Sequence, residues 1–343
     1  MIDFDKQYVY NFTKEILQTD SPTGFTNGVM LKIQKFTEEL GYTFERTNKG
    51  NGIITLNGES EKVIGICAHV DTLGLMVRSI KGNGTLAFTK IGGPTLPTLD
   101  SEYCKIYTRN GQVYTGTILS NSPAIHVHKE ASTAARNEET MHVRLDCVVK
   151  SKEDVEKLGI SNGDFICIDP KTEITETDFI KSRFLDDKLS IGAVFGVLKY
   201  FKDNAITMKH NIKILISTYE EVGHGMAHLP EGISELLAVD MGCIGEDLSC
   251  TEYDVSICAK DSSGPYDYEF TNKLIELAKN NGLKYAVDIY PFYGSDVSAA
   301  RNAGHDVRGG LIGPGVSASH GMERSHYEAV YNTMKLIAVY LQN

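Results

Sequence analysis

The chain has 343 residues, 41% hydrophobic and 23% charged. That is a globular composition, long enough for two cores and unlike a disordered or fibrous repeat. Lys and Arg total 34 against 45 for Asp and Glu, a net charge of −11, and no Lys/Arg-rich run segregates it. Nucleic acid and anionic membrane surfaces are therefore excluded as expected partners. The opening MIDFDKQYVYNF is acidic and mixed, and no apolar run approaches the roughly 18 residues of a membrane helix, so neither a secretory leader nor a span is expected. The seven cysteines are scattered, with no Cys-x-x-Cys pair. They read as reduced thiols in a cytoplasmic protein.

In chain order, two helix patterns fill the first forty residues and break at Ser21-Pro22-Thr23-Gly24. Three strand patterns follow (YTFERT, GIITLNG, VIGICAHV), with Gly50, Gly52 and Gly58 at the turns. From about Leu73 to Thr172 short alternating runs dominate, and only Ser151 opens a short helix, as its N-cap. This is the texture of a barrel or sandwich. The α/β rhythm then returns: a long helix over LSIGAVFGVLKYFKD and apolar strands in HNIKILISTYEEVG, ELLAVDMG and YDVSICAK. Helices are expected over Tyr266 to Asn281, Asp296 to Asn302 and Ser325 to Leu341, separated by short strands. Continuously apolar strands alternating with helices imply a central sheet buried on both faces. The predicted architecture is a three-layer α/β/α domain from residues 1–72 and 173–343, with a β-rich, barrel-like domain inserted at 73–172.

Candidate functional groups cluster where strands end, the place at which open α/β sheets bind ligands. His69 and Asp71 in AHVDT lie two apart, on one face, and Asp71 is placed to orient a ligating imidazole. Asp186 and Asp187 precede the long helix, where they read either as caps or as carboxylates offered to a metal. Glu220-Glu221 close the most apolar strand, and two such acids are costly without a positive partner. Asp240 ends another apolar strand, and His320 lies in the Gly- and Ser-rich loop SHGMER. Together these supply two histidines and three carboxylates as ligands, with one Glu left over as a proton-transfer base. Mixed His and carboxylate ligation without thiolates suits zinc, cobalt or manganese rather than calcium or a closed structural zinc site. Two such ions can share and activate one water.

With these segments in place, the chain resembles the tetrahedral aminopeptidases, which include glutamyl aminopeptidases and proteins once labelled endoglucanase M. The likeness covers essentially the whole chain, in segment order and spacing. It implies a phosphorylase/hydrolase-like catalytic domain and two divalent metal ions per subunit, zinc or cobalt first and manganese third. It implies His69, Asp186 and Asp240 as ligands of one ion, and Asp186, Glu221 and His320 as ligands of the other. It further implies Glu220 as general base, Asp71 as the acid behind His69, and a cis peptide at Asp186–Asp187. The substrates it implies are the N-termini of peptides. It also implies a homo-oligomer, commonly a dodecamer, built through both domains, the insert serving dimerisation and oligomerisation. Thr72, Lys188 and His224 depart from the residues usual in the family, which leaves the substrate preference open.

Among the remaining polar residues, His224 and His228 imitate helical metal spacing, but Gly223 and Gly225 argue for a loop. His126, His128 and His142 read as interface or surface residues, and His326 as an exposed residue opening the last helix. Asp261, Asp267 and Asp296 read as turn or helix caps, or as walls of the substrate site. The alternatives to an aminopeptidase are a related co-catalytic dipeptidase, carboxypeptidase or deacylase, a glycosidase with a metal-free carboxylate pair, and a non-catalytic metal-binding assembly.

Overall fold

In the computed structural model, which describes residues 2–343, α1 (Lys6–Leu17) starts where the Asp5 carboxylate accepts the Tyr8 N–H. Its apolar stripe buries Val9, Phe12, Ile16 and Leu17. α2 (Asn27–Glu39) follows the Pro22–Gly24 turn, and then come β1 (Thr43–Arg46), β2 (Gly52–Leu56) and β3 (Gly58–His69). The chain divides into two compact units at this point. One is Met1–Asp71 with Lys171–Asn343, the other Thr72–Pro170.

The second unit holds β4 (Gly74–Ile80), β5 (Leu86–Ile91), β6 (Tyr103–Tyr107), β7 (Val113–Ser120), β8 (Met141–Leu145), α3 (Lys152–Lys157) and β9 (Phe165–Ile168). Its strands close into a barrel in the order β4-β5-β8-β7-β6-β9. Inward positions alternate as the pleat requires: Cys104 and Ile106 on β6, Met141, Val143 and Leu145 on β8 are buried. Closure leaves no edge strand in the barrel. Ser151 caps α3 by accepting the Asp154 N–H.

In the first unit the chain continues through β10 (Glu173–Ile174), β11 (Phe179–Ser182), α4 (Leu185–Asp203), β12 (Met208–Ser217), β13 (Ile233–Val239), β14 (Gly242–Cys243), β15 (Val255–Asp261) and β16 (Gly264–Pro265). It ends with α5 (Tyr268–Asn280), β17 (Tyr285–Ile289), α6 (Asp296–Asn302), β18 (Arg308–Val316), β19 (Glu323–His326) and α7 (Tyr327–Leu341). A mixed ten-stranded sheet runs β1-β2-β12-β3-β13-β18-β15-β16, with β14 beside β18 and β17 beside β15. Its middle strands β12, β3, β13 and β18 are parallel, while β2 and β15 flank them antiparallel. β3 is buried at every residue from Ile64 to His69, so both faces of the sheet are covered there. No helix among the described residues is long and apolar enough to cross a membrane.

Two details differ from the sequence expectation. β10, β11 and β19 form a small antiparallel sheet of their own. Consequently Ser325 pairs with Ile180 in a strand, and the last helix starts at Tyr327, with the His326 ring accepting the Glu328 N–H as its cap.

Glycine sets the spacing at one place beside the future site. A Cβ on Gly313 of β18 would collide with the Asp240 backbone carbonyl, which a neighbouring strand cannot yield without losing its ladder. Gly28, in the first turn of α2, has nothing within 4 Å of that position. Gly313→Ala is therefore expected to destabilise the protein by about 3 kcal/mol, whereas Gly28→Ala stabilises it by about 0.5 kcal/mol. Urea midpoints of the two variants should move in opposite directions with an unchanged m-value.

Candidate metal centre

Because β12, β3, β13 and β18 run parallel, their C-terminal ends meet along one sheet edge, and the predicted site residues hang from that edge. His69 is the last residue of β3 and only 1% exposed. Ser217, its partner in register, ends β12, and a single 3₁₀ turn at Glu220–Val222 then presents the two glutamates. Gly223 stops that turn at φ 81°, so no helix carries His224 and His228; His224 instead stacks on Tyr219 with ring centroids 5.0 Å apart. Asp240 follows β13, tied to β18 by its N–H donating to Ile312. His320 comes from the loop after β18, and Asp186 from the first turn of α4, where the Asp186–Asp187 peptide is cis.

These segments converge. Asp186, Glu220, Glu221, Asp240 and His320 line one cavity of about 250 Å³ together with Phe292 and Tyr293. His69 Nε2 lies 3.2 Å from Asp186 Oδ1 and 3.7 Å from Glu220 Oε2. His320 Nε2 lies 3.6 Å from Asp186 Oδ2 and 3.8 Å from Glu221 Oε2. Ligand-type atoms of His69, Asp186 and Glu221, and of His69, Asp187 and Asp240, fall within 4.8 Å of one another.

The electrostatics are those of crowded, desolvated acids. Burial, then the neighbouring carboxylates, push Glu220, Glu221 and Asp187 well above the usual carboxylate range. Burial and Asp186 lift Asp240 to about 7. Asp186 goes the other way: burial opposes its charge, but the His320 and His69 imidazoles hold it well below its ordinary value. No Lys or Arg among the described residues lines the cavity, and the buried Oε1 of Glu221 has no hydrogen-bond partner. A donor set of imidazoles and carboxylates with an unmet need for positive charge fits divalent cations of the zinc, cobalt or manganese kind.

Asp71 meets the His69 ring through its backbone rather than as a simple carboxylate–imidazole pair. Its backbone carbonyl accepts from His69 Nδ1 at 2.9 Å, which places a proton on Nδ1 and turns Nε2 toward Asp186. Its carboxylate lies farther from that ring, at 3.6 Å, because it accepts the backbone N–H groups of Glu220 and Glu221 and the Thr23 hydroxyl. One acid thus orients both the imidazole and the glutamate turn.

Several residues support the site, and two of them, Glu323 and Asn51, have no motif of their own in the sequence. Glu323 is 2% exposed and accepts the Asp186 N–H on one oxygen and the His320 N–H on the other, holding His320 in its left-handed conformation. Asp187 accepts the His69 N–H. Asn51 accepts from the N–H and hydroxyl of Thr218 and donates to the Gly225 carbonyl, while Asp296 accepts the Met226 N–H. The segment bearing the glutamates is therefore pinned at both ends. Of the other residues singled out, Asp267 caps α5 and Asp261 binds the Ser263 N–H with the Tyr266 and Ser298 hydroxyls. His142 pairs with Asn121, and His128 faces Glu130. Neither of these nor His126 joins a candidate metal group among the described residues.

The profile of the M42 glutamyl aminopeptidases matches residues 50–336. The chain belongs to that family. Among M42-like relatives, a putative aminopeptidase YhfE of Bacillus subtilis (strain 168) is 44% identical over 332 residues, 96% of each chain. Solved structures agree in fold. A TET aminopeptidase from the archaeon Thaumarchaeota archaeon SCGC AB-539-E09 superposes with a TM-score of 0.88 at 18% identity, covering 98% of this chain and 97% of the other. A Pyrococcus horikoshii TET1 peptidase, described as assembling into a tetrahedron or a large octahedral shell, gives 0.84 at 22% identity over 97% and 99%. This M42 chain is a peptide hydrolase of the aminopeptidase class, and divalent metal belongs to its chemistry.

Asn51→Ala leaves the buried N–H and hydroxyl of Thr218 without their acceptor, while the Gly225 carbonyl keeps Lys49, and should cost about 2 kcal/mol of stability. Thermal unfolding measured beside wild type checks it, with kcat falling more than KM rises because the glutamate segment loosens.

Proposed function

We propose that this cavity removes N-terminal residues from peptides, using two divalent cations and Glu220 as general base. The observation that carries the reading is the convergence of Asp186, Glu220, Glu221, Asp240 and His320 on one cavity that, among the described residues, no Lys or Arg lines. In this reading His69, Asp186 and Asp240 hold one cation, and Asp186, Glu221 and His320 the other, with Asp186 shared. Zinc or cobalt suits the ligands first, manganese third. Bound there, such ions supply Lewis acidity, polarising a carbonyl and making water acidic enough to react near neutral pH.

The chain's own residues do the rest. Glu220 takes a proton from the attacking water on a carboxylate oxygen and passes it to the nitrogen of the departing amine. Asp71 keeps Glu220 and Glu221 in place through their backbone N–H groups, so the base and its ligand neighbour cannot drift independently. Glu323 does the same for Asp186 and His320, since one carboxylate grips both backbones. The deep burial of His69 and Asp186 excludes bulk water from the ligand side, which strengthens every charge interaction in the cavity.

The reading extends to assembly and place. The shell described for the Pyrococcus horikoshii TET1 peptidase supports a homo-oligomer, taken here as a dodecamer, and exposed Ile125 (65%) and Val127 (75%) support the barrel unit as a contact surface. All seven cysteines are free thiols, which supports a cytoplasmic location.

Two experiments test the chemistry. Glu220→Gln should lower kcat by about 10³-fold while calorimetry still counts two cations per chain. A fully active variant would remove Glu220 as the base. Chelation should abolish turnover and lower the unfolding temperature, because the acids lose their counter-ions, and adding zinc, cobalt or manganese should restore both. A melting temperature indifferent to chelator would argue against the ligand set.

A further inference from the structure

We propose that Phe292 makes this aminopeptidase select peptides whose N-terminal residue is apolar, an inference that rests on the aminopeptidase reading above. Phe292 lines the cavity and yet is 96% exposed, leaving its ring open to whatever enters. It is not a loose loop tip. The residues on either side are stitched to the turn between β15 and β16: the Ser262 hydroxyl donates to the Pro291 carbonyl and accepts the Tyr293 N–H, and the Ser262 N–H donates to the Tyr293 carbonyl. On the other side the Tyr293 hydroxyl donates to the Met241 carbonyl, next to Asp240. A side chain with two rotatable bonds, carried on a backbone segment fixed on both sides, offers apolar area at little entropic cost.

Two more segments that carry cavity residues repeat the pattern. Val222, directly after Glu221, is 43% exposed, and Met322, two residues after His320, is 38% exposed. The charged part of the lining points the same way. It contains Asp186, Glu220, Glu221 and Asp240 and, among the described residues, no Lys or Arg. An N-terminal Glu or Asp side chain would enter without a cation of its own, since divalent ions held there are already matched by those four acids. An N-terminal Lys side chain finds no surplus anion for the same reason. A cavity of about 250 Å³ leaves space for one bulky apolar side chain beside the peptide group.

The test uses the metal-loaded full chain and tripeptides X-Ala-Ala with X as Leu, Phe, Ala, Lys or Glu, read as kcat/KM. Leu and Phe are expected to exceed Glu by about 100-fold. In Phe292→Ser the Leu-to-Ala ratio should fall by about tenfold, and Phe292→Leu should restore most of it. Equal or better cleavage of the Glu peptide overturns the proposal, as does an unchanged Leu-to-Ala ratio in Phe292→Ser. If that unchanged ratio comes with a change of mass in light scattering, the ring belongs to a contact between copies of the chain instead. Failure to cleave any of the peptides would count against the aminopeptidase reading itself.

Discussion

The structure depends on an electrostatic debt at one sheet edge. Asp186, Asp187, Glu220, Glu221 and Asp240 are brought together with two imidazoles in a place where burial opposes their charge. Neutral acids could live there, but they would leave the carboxylate set idle. Divalent metal removes the conflict, because a cation is worth more to a desolvated carboxylate than water was. Without metal, the cost of assembling the acids falls on stability.

Holding such a cluster requires that its members not relax apart. The fold does this chiefly with backbone N–H groups. Asp71 and Glu323 each accept two of them from the residues they serve, and Asp187 accepts one from His69. Asn51 and Asp296 then fix the segment that bears the glutamates from outside the cavity. Much of the positioning therefore runs through the main chain, although Asp186 also accepts the Ser319 hydroxyl and Asp240 the Met241 N–H.

The segments that converge on this cavity were readable from sequence, for a specific reason. Acids and histidines at the ends of apolar runs are anomalous wherever a buried strand is expected, and His69, Glu220-Glu221 and Asp240 each break such a run. The element pattern was readable for the same reason: the period-2 runs of the barrel and the continuous runs of the central strands differ in the burial they demand. Glu323 and Asn51 could not be found this way. A Glu beside Arg324 and an Asn in a Gly-rich turn are ordinary in solvent, and their value comes only from which N–H groups lie opposite. The small sheet of β10, β11 and β19 was missed because its strands are two to four residues long, too short for any period to show.

The parallel topology explains how acids and imidazoles from residue 69 to residue 320 can meet at one end of the sheet. Each parallel strand must return to the same end of the sheet before the next begins, so every strand terminus adds one more segment to the same edge. Gly313 shows how tight that edge is: β18 lies so close to β13 that no side chain fits between it and the Asp240 carbonyl. Chemistry placed at strand ends is therefore positioned by the most buried part of the molecule, while the residues that meet a substrate, such as Phe292, sit on the segments just beyond it. That separation lets the outer residues change without disturbing the ligand geometry, so preference for one N-terminal residue over another can vary on an unaltered centre.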